Sequence, residues 1–172
     1  MPPDLRQRLR IAVWVGLLAL IAVFPTVASA QPKGNPAMPC YQALAEDPRF
    51  APIREKVVLG PATRSETQRV AQIAERSSER EKPAIAAWRA AREQCHQQEK
   101  PYLETRDTQI QETVYRYFAA VQALIGELEA GRVTYGEFGK RRVDLYDKLD
   151  RDVENIRKSI LPSKPIPHTV GQ

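Results

Sequence analysis

The chain has 172 residues, of which 42% are hydrophobic and 27% are charged, and its formal net charge is +5. Basic and acidic side chains are interleaved along the chain, so the charge does not concentrate into the basic face that nucleic-acid-binding proteins use. We therefore expect no nucleic-acid partner.

The first thirty residues have the pattern of a secretory signal peptide. Three arginines precede an apolar run from Ile11 to Phe24, and Ala28, Ser29 and Ala30 supply the small residues of a cleavage site. The run has 14 residues, fewer than the about 20 that span a bilayer. We expect residues 1–30 to be cleaved rather than kept as an anchor. The product would be periplasmic or secreted, with a net charge of +3 and no stable membrane insertion.

Cys40 and Cys95 are the only two cysteines. An oxidising compartment lets thiols pair and persist as a disulfide. Helical spacing places Cys95 on the same face as Trp88, two turns away. We predict a structural disulfide between Cys40 and Cys95 that fastens the N-terminal segment to the rest of the fold. Two separate thiols are the alternative.

The N-terminal half of the exported chain is predicted to form short helices. Residues 31–38 contain several prolines and read as a flexible lead-in. Helices are predicted over about 39–47 and 50–59. A longer one begins at a capping box near residue 63, runs to the charged segment 79–82, and restarts at Pro83. The inner face of the restarted helix would carry Ile85, Trp88, Arg92 and Cys95.

Two long amphipathic helices are predicted over 103–130 and 135–161. Apolar residues recur at steps of three and four in both. Gly131 suits the end of the first helix, and Thr134 with Glu137 forms a capping box for the second. A connection of four residues would place the two helices antiparallel. Residues 162–172 are rich in proline and read as a flexible tail.

These patterns predict an all-α protein: a small helical bundle with a long C-terminal antiparallel helical hairpin, preceded by a cleavable signal peptide. Residues 39–161 would form a single helical domain. No stretch shows the alternating apolar and polar pattern of a β-strand.

Motifs for catalysis or for binding a cofactor are not found in the sequence. Glu93 and His96 have the spacing of di-iron helices, but such sites need a second pair of this kind, and we expect His96 to be exposed beside the disulfide. The strand-turn-helix motif of serine hydrolases is missing. Carboxylates on the helices have basic residues at helical spacing, which is typical of a solvated surface. We predict no catalytic residue, no cofactor and no metal site.

A candidate partner-binding surface lies in the predicted hairpin. It combines a basic cluster with two tyrosines that fall outside the inward stripes. The residues are Tyr115, Lys140, Arg141, Arg142 and Tyr146. We expect an exported, non-enzymatic protein with a structural or protein-binding role and an unspecified protein partner. The alternatives are a periplasmic stress or chaperone-like binder of unfolded chains and, less favoured, a metal-handling protein or an enzyme.

Overall fold

The structure, a computed structural model, describes residues 34–61 and 64–160. The predicted signal peptide, the first three residues of the lead-in and the proline-rich tail lie outside these ranges. Within them the chain is predominantly helical and forms no β-strand, which confirms the all-α fold class. Arg76 and Thr134 form one isolated antiparallel bridge. The elements in chain order are α1 (Met38–Ala43), a 3₁₀-helix (Pro48–Ile53), α2 (Arg64–Val70), α3 (Lys82–Leu103), α4 (Thr108–Glu129) and α5 (Tyr135–Ile160).

The predicted disulfide is present between Cys40 and Cys95, whose Cα atoms are 5.5 Å apart. It joins α1 to α3. A helix of six residues is too short to be stable alone, and the residues of α1 itself are not fully buried. The covalent link to Cys95, which is fully buried, therefore holds α1 against the core.

Trp88 lies at the centre of the hydrophobic core. It is 0% exposed and packs edge-on against Phe138 of α5, with ring centroids 5.9 Å apart. Its indole N–H donates a hydrogen bond of 3.0 Å to the carbonyl of Leu59. A buried indole N–H needs such a partner. Trp88 thus joins α3 to α5 and to the loop that follows the 3₁₀-helix.

The prediction of one helix from residue 63 to residue 82 was wrong, because α2 ends at Val70. The following segment crosses the N-terminus of α5, where the carbonyls of Ile73 and Glu75 accept hydrogen bonds from the N–H groups of Gly136 (2.8 Å) and Tyr135 (2.9 Å). The first N–H groups of a helix have no intrahelical partner. A side chain at position 136 would place its Cβ 2.6 Å from the carbonyl oxygen of Ala71, so glycine permits this close approach.

Two other predicted boundaries also differ. The helix predicted over 50–59 is a 3₁₀-helix over Pro48–Ile53 that contains Pro52. The first long helix, predicted over 103–130, begins at Thr108, because Asp107 caps it by accepting a hydrogen bond of 2.8 Å from the Gln109 N–H. The preceding helix, α3, extends to Leu103 and contains Pro101.

The helix α5 packs along α4 but is buried only at its beginning. Its fully buried residues all lie among the first five: Tyr135, Gly136, Phe138 and Gly139. Farther along, Leu149, which belongs to the apolar stripe of this helix, is only half-buried. The rings of Tyr117 on α4 and Tyr146 on α5 are in edge-on contact at 6.5 Å. The distal part of α5 therefore presents a half-exposed apolar stripe beside α4.

The three longest helices between residues 34 and 160, α3, α4 and α5, have 22, 22 and 26 residues. None of these described helices is both long enough and apolar enough to cross a bilayer.

Candidate functional site

A cavity of about 770 Å³ opens beside α5. The described residues that line it come from α1 to α5 and from the loop after the 3₁₀-helix, and most of the lining is apolar. Cavities of a few hundred to about 1,000 Å³ with apolar walls and a few convergent polar groups are typical of sites for small molecules. The apolar walls include Met38, Val70, Val114, Phe118, Val143 and Leu149.

The arginine at position 92 contributes a buried guanidinium to this cavity. Arg92 belongs to α3 and is 5% exposed. Its guanidinium carbon lies 5.5 Å from the ring centroid of Tyr41 and 5.7 Å from that of Trp88. Its Nε is buried and has no hydrogen-bond partner among the described residues. Burial lowers the pKa of Arg92 from its usual value, because removal from water disfavours the charged form.

A second guanidinium comes from α5. Arg142 donates hydrogen bonds to the carbonyls of Val58 and Gly60, the latter at 2.8 Å. Burial lowers the pKa of Arg142 to about 10, and the positive charge of Arg92 contributes in the same direction. Arg142 therefore remains protonated at neutral pH, and arginine side chains in general keep their proton in proteins. Arg142 was predicted to belong to a partner-binding surface. Its side chain instead turns inward to the carbonyls of Val58 and Gly60.

The carboxylate of Glu99 also lines the cavity, and its side chain is 13% exposed. Its negative charge favours the protonated form of Arg92. Its oxygens already accept hydrogen bonds from Asn35 Nδ2 at 2.5 Å and from the Tyr41 hydroxyl at 3.3 Å. Burial, and then the charge of Glu99, raises the pKa of Tyr41 above its usual value. The phenol therefore keeps its proton and remains a hydrogen-bond donor to the carboxylate.

His96 is buried rather than exposed, contrary to the sequence analysis. It is 4% exposed, stacks on Phe118 with ring centroids 3.7 Å apart, and meets the edge of Tyr115 at 5.6 Å. Its Nδ1 lies 3.4 Å from Glu99 Oε2. Glu93 instead hydrogen-bonds to glutamine side chains. Within the part of the chain that the structure describes, no group of three or more His, Cys, Asp or Glu is placed to hold a metal ion.

The residues predicted to form a partner-binding surface are divided by the fold. Lys140, Arg141 and Tyr146 are exposed, and Tyr146 lies at the cavity rim with 57% of its surface accessible. Arg141 is paired with a carboxylate of α4 at 2.9 Å. Tyr115 is half-buried against His96. The fifth member, Arg142, belongs to the cavity floor.

The sequence did contain a signal for the buried Arg92 and the half-buried Arg142. Arg92 lies on the same helical stripe as Trp88 and Cys95, and Arg142 falls four residues after Phe138 and three before Leu145 on the stripe of α5. A charged residue on an apolar stripe is uncommon in a core. Glu99 and Tyr41 carried no comparable signal, since their roles depend on contacts between distant segments.

No protein-family model, no curated protein and no solved structure matches this chain.

Proposed function

We propose that this chain is an exported, non-enzymatic binding protein that takes up a small ligand in the cavity beside α5. The signal-peptide pattern of residues 1–30 supports export, and the disulfide is compatible with an oxidising compartment. The observation that carries the proposal is the pair of guanidiniums, from Arg92 and Arg142, at the floor of a largely apolar cavity.

The energetics of Arg92 favour a binding role. A buried charge without a close partner lowers the stability of a fold, by an amount that often reaches several kcal/mol. The lowered pKa of Arg92 reflects this penalty, and its unpartnered Nε adds to it. Residues that lower the stability of a fold in this way are typical of functional sites. A ligand with a negative charge would supply a partner for the guanidinium.

The pKa values of Tyr41 and Arg142 favour ligand binding over acid–base catalysis as the function of the cavity. A general acid or base works best when its pKa lies near the operating pH. Burial raises the pKa of Tyr41 above its usual value, and the pKa of Arg142 stays at about 10. These groups keep their protons at neutral pH, so they are suited to orienting a ligand by charge and hydrogen bonding.

Native mass spectrometry of the protein purified from the exported fraction tests this function. We expect a bound small molecule of defined mass that is released on denaturation. The variant Val143→Trp fills the cavity and should lose this molecule. Ala119→Trp, on the exposed face of α4, should retain it. A wild-type protein without bound molecule, or a Val143→Trp protein that still carries it, contradicts the proposal.

Binding of unfolded chains is a second candidate function. Among the described residues, the exposed large hydrophobic side chains are Met38, Tyr146 and Ile160. Met38 and Tyr146 line the same cavity, beside the half-exposed stripe of α5, and contiguous apolar surface of this kind is typical of binding sites for other proteins. If this function is correct, the protein suppresses aggregation of a denatured model protein, Tyr146→Ser weakens that effect, and Ile160→Ser leaves it unchanged.

A further inference from the structure

We propose that the ligand of the cavity is an amphiphilic monoanion, a carboxylate with an extended apolar chain, whose headgroup binds between Arg92 and Arg142. This inference rests on the proposed function and names the class of molecule that the cavity takes. It follows from the charge at the cavity floor and from the shape of the apolar walls.

The charges of the inner cavity side chains favour a ligand with one negative charge. Arg92 and Arg142 supply two guanidiniums to the cavity lining, and the charge of the Glu99 carboxylate acts on that of Arg92. The oxygens of that carboxylate already accept hydrogen bonds from Asn35 and Tyr41. The exposed Lys140, Asp144 and Asp147 also line the cavity and together carry a formal charge of −1. The three inner side chains, Arg92, Arg142 and Glu99, leave a formal charge of +1. A monoanion would neutralise it, whereas a dianion would reverse its sign.

The geometry of the donors favours a carboxylate. A guanidinium presents its N–H groups in a planar fork that matches the two oxygens of a carboxylate. Arg92 contributes its guanidinium to the cavity lining, although its Nε is fully buried, so the N–H groups at the end of the fork are the ones that a ligand can reach. Arg142 is anchored by the carbonyls of Val58 and Gly60, which fixes the direction of its guanidinium before any ligand arrives.

The apolar walls continue beyond the headgroup position. A second cavity of about 340 Å³ shares Val114, Tyr146 and Leu149 with the first and extends to Ile110 and Val153. From Arg142 to Val153 the helix α5 advances by about 16 Å at 1.5 Å per residue. The apolar residues Ile110, Val114, Leu149 and Val153 thus continue along α4 and α5 from the headgroup position, while Arg106, Asp150 and Arg157 also line the second cavity. An extended apolar chain would pack against these apolar residues.

The outer rim opposes ligands of higher charge. Asp144 and Asp147 line the cavity from α5 and are exposed. Their carboxylates repel polyanions approaching from solvent. Lys140 lies at the same rim and offsets part of that repulsion. A single carboxylate fits this balance better than a phosphate ester with two charges.

Calorimetric titration tests the inference. The exported protein is first unfolded and refolded to remove bound molecules. It is then titrated with three probes of equal chain length: dodecanoate, dodecanol and dodecyl phosphate. We expect one dodecanoate per chain. Dodecanol should bind at least about 10-fold more weakly, because a hydrogen bond to a charged group contributes about 1.5–3 kcal/mol. Dodecyl phosphate should also bind more weakly than dodecanoate. Trp88 reports binding at the headgroup by its fluorescence, since the other tryptophan lies within residues 1–30.

Two variants connect the binding to the arginines. Arg92→Met should remove most of the preference for dodecanoate over dodecanol while still binding dodecanol, which shows that the cavity is intact. Arg142→Lys keeps the charge but not the fork, and it should weaken dodecanoate binding several-fold. The matched control is Arg89→Met on the same helix, where the arginine is half-exposed and lies 3.7 Å from Glu129. The control should keep the wild-type preference.

The outcomes separate this inference from the proposed function. Equal affinity for dodecanoate and dodecanol, tighter binding of dodecyl phosphate, or an unchanged preference in Arg92→Met overturns the monoanion assignment. A co-purified molecule without an acidic group also overturns it but leaves the proposed function intact. Failure of all three probes to bind, together with an exported protein free of any bound molecule, contradicts both.

Discussion

Arg92 of α3 and Arg142 of α5 place their guanidiniums beside the same indole ring, that of Trp88, at 5.7 Å and 5.9 Å from its centroid. Aromatic faces attract cations, each contact contributing about 0.5–2 kcal/mol. Trp88 is thus shared by two like charges in the interior. Their mutual repulsion and their desolvation oppose folding, so the pair should be visible in stability measurements.

We expect Arg92→Met to stabilise the ligand-free protein. Replacing a buried, incompletely paired charge by an apolar side chain of similar length is neutral or stabilising by about 1–4 kcal/mol. Urea unfolding of protein refolded without ligand measures the change in the free energy of unfolding. The control Arg89→Met should change it by less than about 1 kcal/mol, because exposed ion pairs contribute little. Clear destabilisation by Arg92→Met would show that the guanidinium has a structural role.

The two leucines Leu124 and Leu149 should respond differently to truncation, although both lie on predicted core stripes. Leu124 is 5% exposed, and Leu124→Ala should lower the free energy of unfolding by about 2–5 kcal/mol. Leu149 is half-buried on the distal part of α5. Its replacement by Ala should cost about 1 kcal/mol, since less apolar surface returns to water. Equal losses in urea unfolding would mean that distal α5 is buried in solution.

Local signals in the sequence were sufficient for several parts of this fold. The capping box at Thr134 is present, with Glu137 N–H donating to Thr134 Oγ1 at 3.1 Å and Thr134 N–H donating to Glu137 Oε2 at 2.7 Å. Gly131 has a φ of 67°, as expected for a glycine that ends a helix. These features depend on residues that are close in sequence, so spacing alone could predict them.

Features that depend on distant segments were missed for a physical reason. The end of α2 at Val70 follows from carbonyls of the next segment that bind the N–H groups of α5. The cavity floor likewise requires that the stripes of α3 and α5 meet at Trp88. The sequence shows Arg92 and Arg142 at stripe positions, but it does not show that both reach one ring.

Alkaline pH should destabilise the fold through its buried tyrosines. Burial, and then the charge of Glu81, raises the pKa of Tyr135 above its usual value, so the unfolded chain loses this proton at a lower pH than the folded protein does. Stability contributed by the neutral phenol is therefore present below about pH 10 and falls as the pH rises above it. The Tyr135 hydroxyl has no hydrogen-bond partner among the described residues.

Tyr135→Phe removes that titration and should reduce the loss of stability between neutral and alkaline pH. At pH 7 the variant should match the wild type to within about 1 kcal/mol, because an apolar group replaces an unpaired hydroxyl. Thermal unfolding followed across this pH range measures both effects. The exposed Tyr146→Phe is the matched control and should follow the wild-type profile. A Tyr135→Phe profile identical to the wild type contradicts the argument.

The disulfide should support both the fold and the cavity. The double variant Cys40→Ser, Cys95→Ser frees a loop whose ends are separated by 55 positions, and it should lose up to about 4 kcal/mol of unfolding free energy. Because α1 and the residues before it supply Tyr41 and Asn35 to Glu99, loosening α1 should also weaken dodecanoate binding, while circular dichroism shows nearly unchanged helix content. Thiol labelling of the denatured, unreduced wild-type protein should find no reactive cysteine. Two labelled thiols, or a double variant with wild-type stability and affinity, would show that α1 is held in place without the bond.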